Sequence, residues 1–289
     1  KTLTNNMGTH DNKFPIVAGH RADMFTLNPT FSRNATLNGK LKNYKGRYGW
    51  LNLLTTRMVN WFTLSNDNIM GGLNVITVEM QLDLRHVFKD YYHGTYGVTL
   101  ESFTVNELGK EVILDRTGIE VTNIAMMDKG NDLRDAYRKI PASELDFVRT
   151  SLYAQKIKER AIVYDSLDGE HDWSDIEKLN AFSKLMALDI MMFDTSPGLP
   201  CGPGNQYLTI ELAIASKKTH NSCGGRSMGD NVVDKIYNVL INNNINGDIY
   251  SGNDGPDKAP NDEFPYAAAK HTGFHHWLKT LILRNVETL

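Results

Sequence analysis

Gly225-Arg226-Ser227-Met228-Gly229 satisfies G-x-S-x-G, the elbow on which hydrolases mount a nucleophilic serine. Acidic residues and His271 follow Ser227 in the order Ser, Asp, His, and a helix is predicted just after the motif, so one reading is a secreted hydrolase. The elbow also requires a strand that runs straight into the serine, so that the strained turn exposes the hydroxyl. Lys217 to Cys223 is polar and loop-like instead, and the chain lacks the strand–helix alternation of that fold. The local context therefore argues against Ser227 and His271 as a catalytic pair, and no catalytic residue is assigned.

Two kinds of metal site are conceivable. His271 and His275 lie four apart, which on a helix would place both imidazoles on one face and suit Zn or Cu, with His20 or His10 as a distant third ligand. The alternative is a set of surface or half-buried histidines, His276 included, around Trp277. Two acidic loops could hold Ca²⁺, a hard cation that takes oxygen ligands. One runs from Asp165 through Asp168 to Asp172, and the other carries Asn246, Asp248, Asn253, Asp254 and Asp257. Neither has EF-hand spacing, and turn chemistry alone explains Asp, Asn and Gly there. No cofactor is required by this pattern; calcium is the one weighed. Gly202-Pro203-Gly204 lacks the lysine and spacing of a phosphate loop.

The composition sets bounds on these options. The chain has 289 residues, 41% of them hydrophobic, enough for a core that does not depend on disulfides. The net charge of −3 and the lack of a basic block disfavour nucleic acid, whose affinity comes largely from phosphate neutralisation. No apolar run approaches the ~18 residues of a membrane span. Cys201 and Cys223 both sit in Gly/Pro/Ser-rich segments and fit one disulfide in an oxidising compartment, with two free thiols as the alternative. Asn34-Ala35-Thr36 is a glycosylation sequon. The start at Lys1 reads either as the product of signal-peptide removal or as a processed piece of something longer. Trp50, Trp61, Tyr91, Tyr92, Tyr96 and Trp277 either make a contact surface or fill the core.

The elements that must position these groups follow from periodicity. Residues 1–20 read as an arm or loop. Asn74 to Leu82 alternates with period two, Gly97 to Val105 is a second strand and Glu111 to Leu114 a third, with Asn106 to Lys110 as a hairpin loop. Ile119 to Met126 is expected to extend the sheet. Helices are predicted over Ala142 to Tyr164, Ser174 to Met192 and Asn231 to Ile241, the last capped by Asp230. Tyr207 to Ile214 reads as a buried strand, and Phe264 to Leu283 as a closing helix. Strands followed by helices predict an α+β fold, with an antiparallel sheet or β-sandwich core and added helices in the C-terminal half. The expected organisation is one globular unit over 21–289, sheet-rich to 126 and helix-rich from 142.

Five segments resemble the DUF4331 family, a domain of unknown function in predicted secreted proteins. They are Ala18 to Phe25, Met70 to Val75, Asp115 to Asn123, Cys223 to Asp234 and Glu263 to Tyr266. The chain is similar to the C-terminal portion of such proteins and lacks their first segment. The resemblance implies secretion, to the extracellular space or periplasm, and a β-rich fold. It implies no activity. Arg21, Asp23, Arg116, Asn123, Arg226, Asp230 and Asp234 are the polar residues inside these segments. They either converge on a ligand carboxylate or phosphate or tie loops to strand ends and cap helices; the second is favoured. The expected function is a non-catalytic extracellular module, structural or ligand-binding, whose partner is itself or another protein chain. The hydrolase and a calcium-stabilised binding protein are the alternatives.

Overall fold

The computed structural model describes residues 2–6, 13–26, 68, 70–89, 93–120, 122–127, 132–202, 206–247, 249 and 255–286. Asn34, Asp248 and Asp254 lie outside them, as do His10, Trp50, Trp61, Tyr91, Tyr92 and the side chains of Asn123 and His275.

The N-terminal residues expected as an arm or loop contain β1 (Thr2–Asn6) and β2 (Lys13–Ala22). Together with β3 (Asn74–Met80) they form an antiparallel sheet in the order β1-β2-β3. β2 is written in mixed residues, and the partner that makes it a strand is more than fifty positions away, pairing Ile16 with Met80 and Ala22 with Asn74. Pairing outside the local window overrides weak local propensity. After a short helix α1 (Leu84–Phe88) come β4 (Thr95–Val98), β5 (Leu100–Val105) and β6 (Glu111–Thr117). β5 and β6 form the expected hairpin. β4 pairs instead with β7 (Met191–Asp194).

Several expectations change beyond this point. Ile119 to Met126 does not extend the sheet: the Asp189 carboxylate takes the Gly118 and Ile119 N–H groups at 3.1 and 2.7 Å, and the chain turns into α2 (Thr122–Ala125). After α3 (Asp132–Arg138), residues Ala142–Glu144 make a single 3₁₀ turn. The next helix, α4 (Ser151–Asp165), starts later than predicted, because Asp146 Oδ1 accepts the N–H groups of Val148 and Arg149 and holds a turn. α5 (Ile176–Leu188) is capped by Asp175 and stopped by Asp189 in the left-handed region, φ 53°, which frees Met191 and Met192 for β7.

Tyr207 to Ile214 is not a strand. Leu208 turns left-handed and α6 (Thr209–Ala215) follows, an outcome that short apolar runs leave undecided by periodicity. α7 (Val232–Asn242) is as predicted, though its cap is Asn231, which accepts from Asp234 N, and not Asp230. The closing helix α8 (Phe274–Val286) begins later than predicted, because 267–269 runs extended beside β2: Ala22 N donates to Ala268 O, and Arg21 bridges Ala269.

The result is a mixed α and β structure with small antiparallel sheets, in keeping with α+β. No sandwich is formed among the described residues. The main core is helical, with Ile157 and Tyr164 of α4, Phe182 and Met186 of α5, and Ile236 and Leu240 of α7 fully enclosed. α7 is buried nearly all round, its polar Asp234 and Asn238 included. A smaller cluster of Ala22, Met24, Ala267 and Ala268, with Met228 against it, joins the three-stranded sheet to this core.

Candidate functional site

At that junction a cleft of about 350 Å³ opens between Asp23, Met24 and Phe25 after β2, Val75 and Thr77 of β3, Glu120, Met191 of β7, Arg226 and Met228. Three separated stretches supply its polar groups, and each is fixed by its backbone. Asp23 Oδ1 accepts from Phe25 N at 2.9 Å, and Asp23 N donates to Leu73 O, which ends β2 and holds the carboxyl at the rim. Glu120 follows the Asp189 clamp, and its carbonyl accepts from Tyr207 Oη at 2.7 Å. Arg226 lies three residues beyond Cys223. There Asp194 N donates to Cys223 O, Gly225 N to Met192 O, and Phe193 bridges Gly224. Gly224 has φ +60°, and a Cβ there would sit 2.7 Å from Met192 O, so this close approach needs glycine.

Glu120 and Arg226 form an ion pair across the cleft. Burial pushes the Asp23 carboxyl above its ordinary range, more strongly than the Phe25 N–H and the Arg226 charge pull it down. Around them, Arg21 faces Glu79 at 3.9 Å. Asp257 accepts from Gly72 N at 2.6 Å and faces His271 at 3.4 Å. The arrangement can seat an apolar body and fix one polar end.

The other residues singled out by sequence divide clearly. Arg116 is not in the cleft: it is fully buried and donates to Ile140 O at 2.9 Å and Leu188 O at 3.1 Å. Asp230 Oδ2 accepts from Ser227 N, and Asp234 sits in the first turn of α7. Ser227 Oγ accepts from Gly229 N at 3.3 Å, and no strand enters the serine: the chain reaches it through Gly224 and Gly225, both left-handed. The histidines do not share a helix face, since α8 starts only after Gly273 at φ +94°. His276 Nδ1 donates to Gly72 O at 2.8 Å, and its Nε2 accepts from Asn74 Nδ2 at 3.0 Å, so both nitrogens are engaged.

In the first acidic loop, ligand oxygens of Asp168, Glu170 and Asp172 lie within 4.8 Å of one another. Asp165 turns inward and accepts from Asp172 N and Trp173 N. Burial and then the charges of Asp168 and Asp165 raise the Asp172 pKa. Cys201 and Cys223 are joined in a disulfide with Cα atoms 5.2 Å apart, the pairing expected from sequence. Among the described residues no helix is long and apolar enough to cross a membrane.

Three ionisable groups carry little signal in the sequence. Glu120 stands inside a segment singled out for Arg116 and Asn123, but a lone acid after Ile119 does not mark itself. Glu211 is buried in α6 and pushed up to about 7, and its position within the apolar run Leu208 to Ile214 is the available hint. Lys279 is buried on α8, donates to Gly71 O, and is lowered by burial to about 8.

The chain matches no family model, no curated protein and no solved structure. The resemblance to DUF4331 therefore stands on the sequence segments alone.

Proposed function

We propose that this chain is a non-catalytic extracellular binding module, and that the cleft at the sheet–helix junction receives a small ligand. The observation that carries this reading is the convergence of Asp23, Glu120 and Arg226 on a cavity walled by Met24, Phe25, Met191 and Met228. A largely apolar cavity with a few convergent polar groups is the usual form of a small-molecule site. The disulfide supports an oxidising compartment. The entry to Ser227 through left-handed Gly224 and Gly225, with no strand running into the serine, supports a role without catalysis. The test is methyl-labelled methionine NMR on the full chain, which has 11 methionines. Titration with hexanol should shift Met24, Met191 and Met228 together and leave the remote methionines in place. Failure of these three to move would remove the cleft as a binding site, and labelling of Ser227 by a fluorophosphonate would restore the hydrolase reading.

A second reading, self-assembly, is favoured by the β5–β6 hairpin. Leu100, Phe103, Val105, Val112 and Leu114 are all exposed on it, and Leu108 at its tip is 91% exposed. Among the described residues β5 pairs with β6 alone, so its outer edge is open. β6 is anchored on its far side by Arg138, which grips Asp115. An antiparallel pairing of β5 with β5 of a second copy places Leu100 opposite Val105 and Glu101 opposite Thr104, with no like charges facing.

A further inference from the structure

The ligand's chemistry can be taken further, resting on the cleft reading above. We infer that the cleft takes an organic ammonium: a compact apolar body with a cationic nitrogen received by Asp23. The reason is a charge left over. Glu120 has Arg226 as its cation, and Glu79 beside the cleft has Arg21 at 3.9 Å. Among the described residues Asp23 has none. One of its oxygens is engaged by Phe25 N, and the cation that acts on it, Arg226, is already paired with Glu120. Two carboxylates against one guanidinium leave the cleft with one negative charge, half-buried beside apolar walls. A carboxylate so placed loses part of its hydration, which a donor entering the cleft replaces.

An ammonium meets that need, because it offers up to three donors and a full positive charge. The walls suit its alkyl body and its charge. Methionine is polarisable and adapts its shape, and the Phe25 ring can face a cation. The volume of 350 Å³ is at the low end for small-molecule sites, which range over roughly 300–1,000 Å³, and so limits the body to a small molecule. An anionic ligand meets the opposite: Asp23 repels it, and Arg226 is occupied by Glu120.

Three probes with one alkyl chain and different heads separate these terms: hexylammonium, hexanol and hexanoate, titrated into the full protein at pH 7 and read by calorimetry and the methionine methyl shifts. Hexylammonium should bind about tenfold more tightly than hexanol, the difference between a charge-assisted and a neutral hydrogen bond, with hexanoate weakest. Asp23→Asn retains the oxygen that accepts from Phe25 N, so the turn is preserved. It should bring hexylammonium down to the level of hexanol while hexanol is unchanged. Equal binding of hexylammonium and hexanol, or a preference that survives Asp23→Asn, overturns the ammonium inference and leaves the cleft standing. Silence of the three cleft methionines toward every probe overturns both.

Discussion

Arg116 and Asp189 face each other at 3.4 Å with both side chains wholly excluded from solvent. The pair closes the end of β6 onto the end of α5. Asp189 is the left-handed residue that stops the helix, its carboxylate holds the Gly118 and Ile119 N–H groups, and Arg116 gathers the carbonyls of Ile140 and Leu188. Gly118 is required here, because a Cβ would collide with the Asp189 carbonyl. Burial still outweighs these partners and raises the Asp189 pKa.

Removing one member leaves the other as a buried charge without its partner. Arg116→Ala and Asp189→Ala should each cost about 3–5 kcal/mol of stability in denaturant unfolding. The double variant should cost clearly less than the two added together, since the groups share one network. Near-additive losses would show that the two act independently. Because Glu120 follows directly on this clamp, both variants should also weaken binding of cleft probes.

Glu211 sets a pH dependence of stability. Its ordinary value is 4.5, and burial raises it to about 7 in the fold, so the folded state holds a proton that the unfolded chain releases between these values. Stability should therefore fall as pH rises from about 4.5 to 7 and level off above. The fall should reach roughly 3 kcal/mol, since each tenfold difference in proton affinity between the folded and unfolded chain is worth about 1.4 kcal/mol. Lys279 acts in a separate window and with the opposite sign. Lowered from 10.5 to about 8, it is readily deprotonated in the fold, so stability should rise with pH between these values. Melting temperatures across the pH range check both. Glu211→Gln, which keeps the oxygen that accepts from Met192 N, should flatten the lower window and leave the upper one intact.

What is legible in the sequence and what is not divides by the range of the interactions. The β5–β6 hairpin, α7 and the disulfide are readable because alternation, helical spacing and paired loop cysteines are local signals. β2 is not, because its strand character comes from β3. α6 is not, because an apolar run as short as Tyr207 to Ile214 satisfies either period, and its packing under β7 decides the outcome. The cleft is only half visible. Asp23 and Arg226 stand out as charges inside patterned segments. Nothing local separates Arg226, which lines the cleft, from Arg116, which braces the core, and Glu120 is joined to Arg226 across more than a hundred residues.

The open edge of β5 should make association concentration-dependent. Light scattering over a wide concentration range should show a monomer–dimer equilibrium for the native chain. Phe103→Lys places a charge on a strand position that is 53% exposed, so it should yield a monomer whose melting temperature in dilute solution falls only slightly. A native chain that stays monomeric at all concentrations rules the β5 pairing out.

The disulfide should act on the cleft as well as on the fold. It closes a loop of 22 residues in sequence separation, and releasing such a loop costs about 3 kcal/mol of stability. The released segment also carries Gly224 and Gly225, whose contacts with Phe193 and Met192 hold Arg226 against Glu120. With Cys201→Ser and Cys223→Ser together, Arg226 should lose its fixed position and leave Glu120 as a second uncompensated carboxylate. Binding of hexanol should then weaken while the preference for hexylammonium over hexanol widens. If the double variant loses stability but keeps both affinities unchanged, the bridge secures the fold alone and the backbone contacts of Gly224 and Gly225 suffice to hold Arg226.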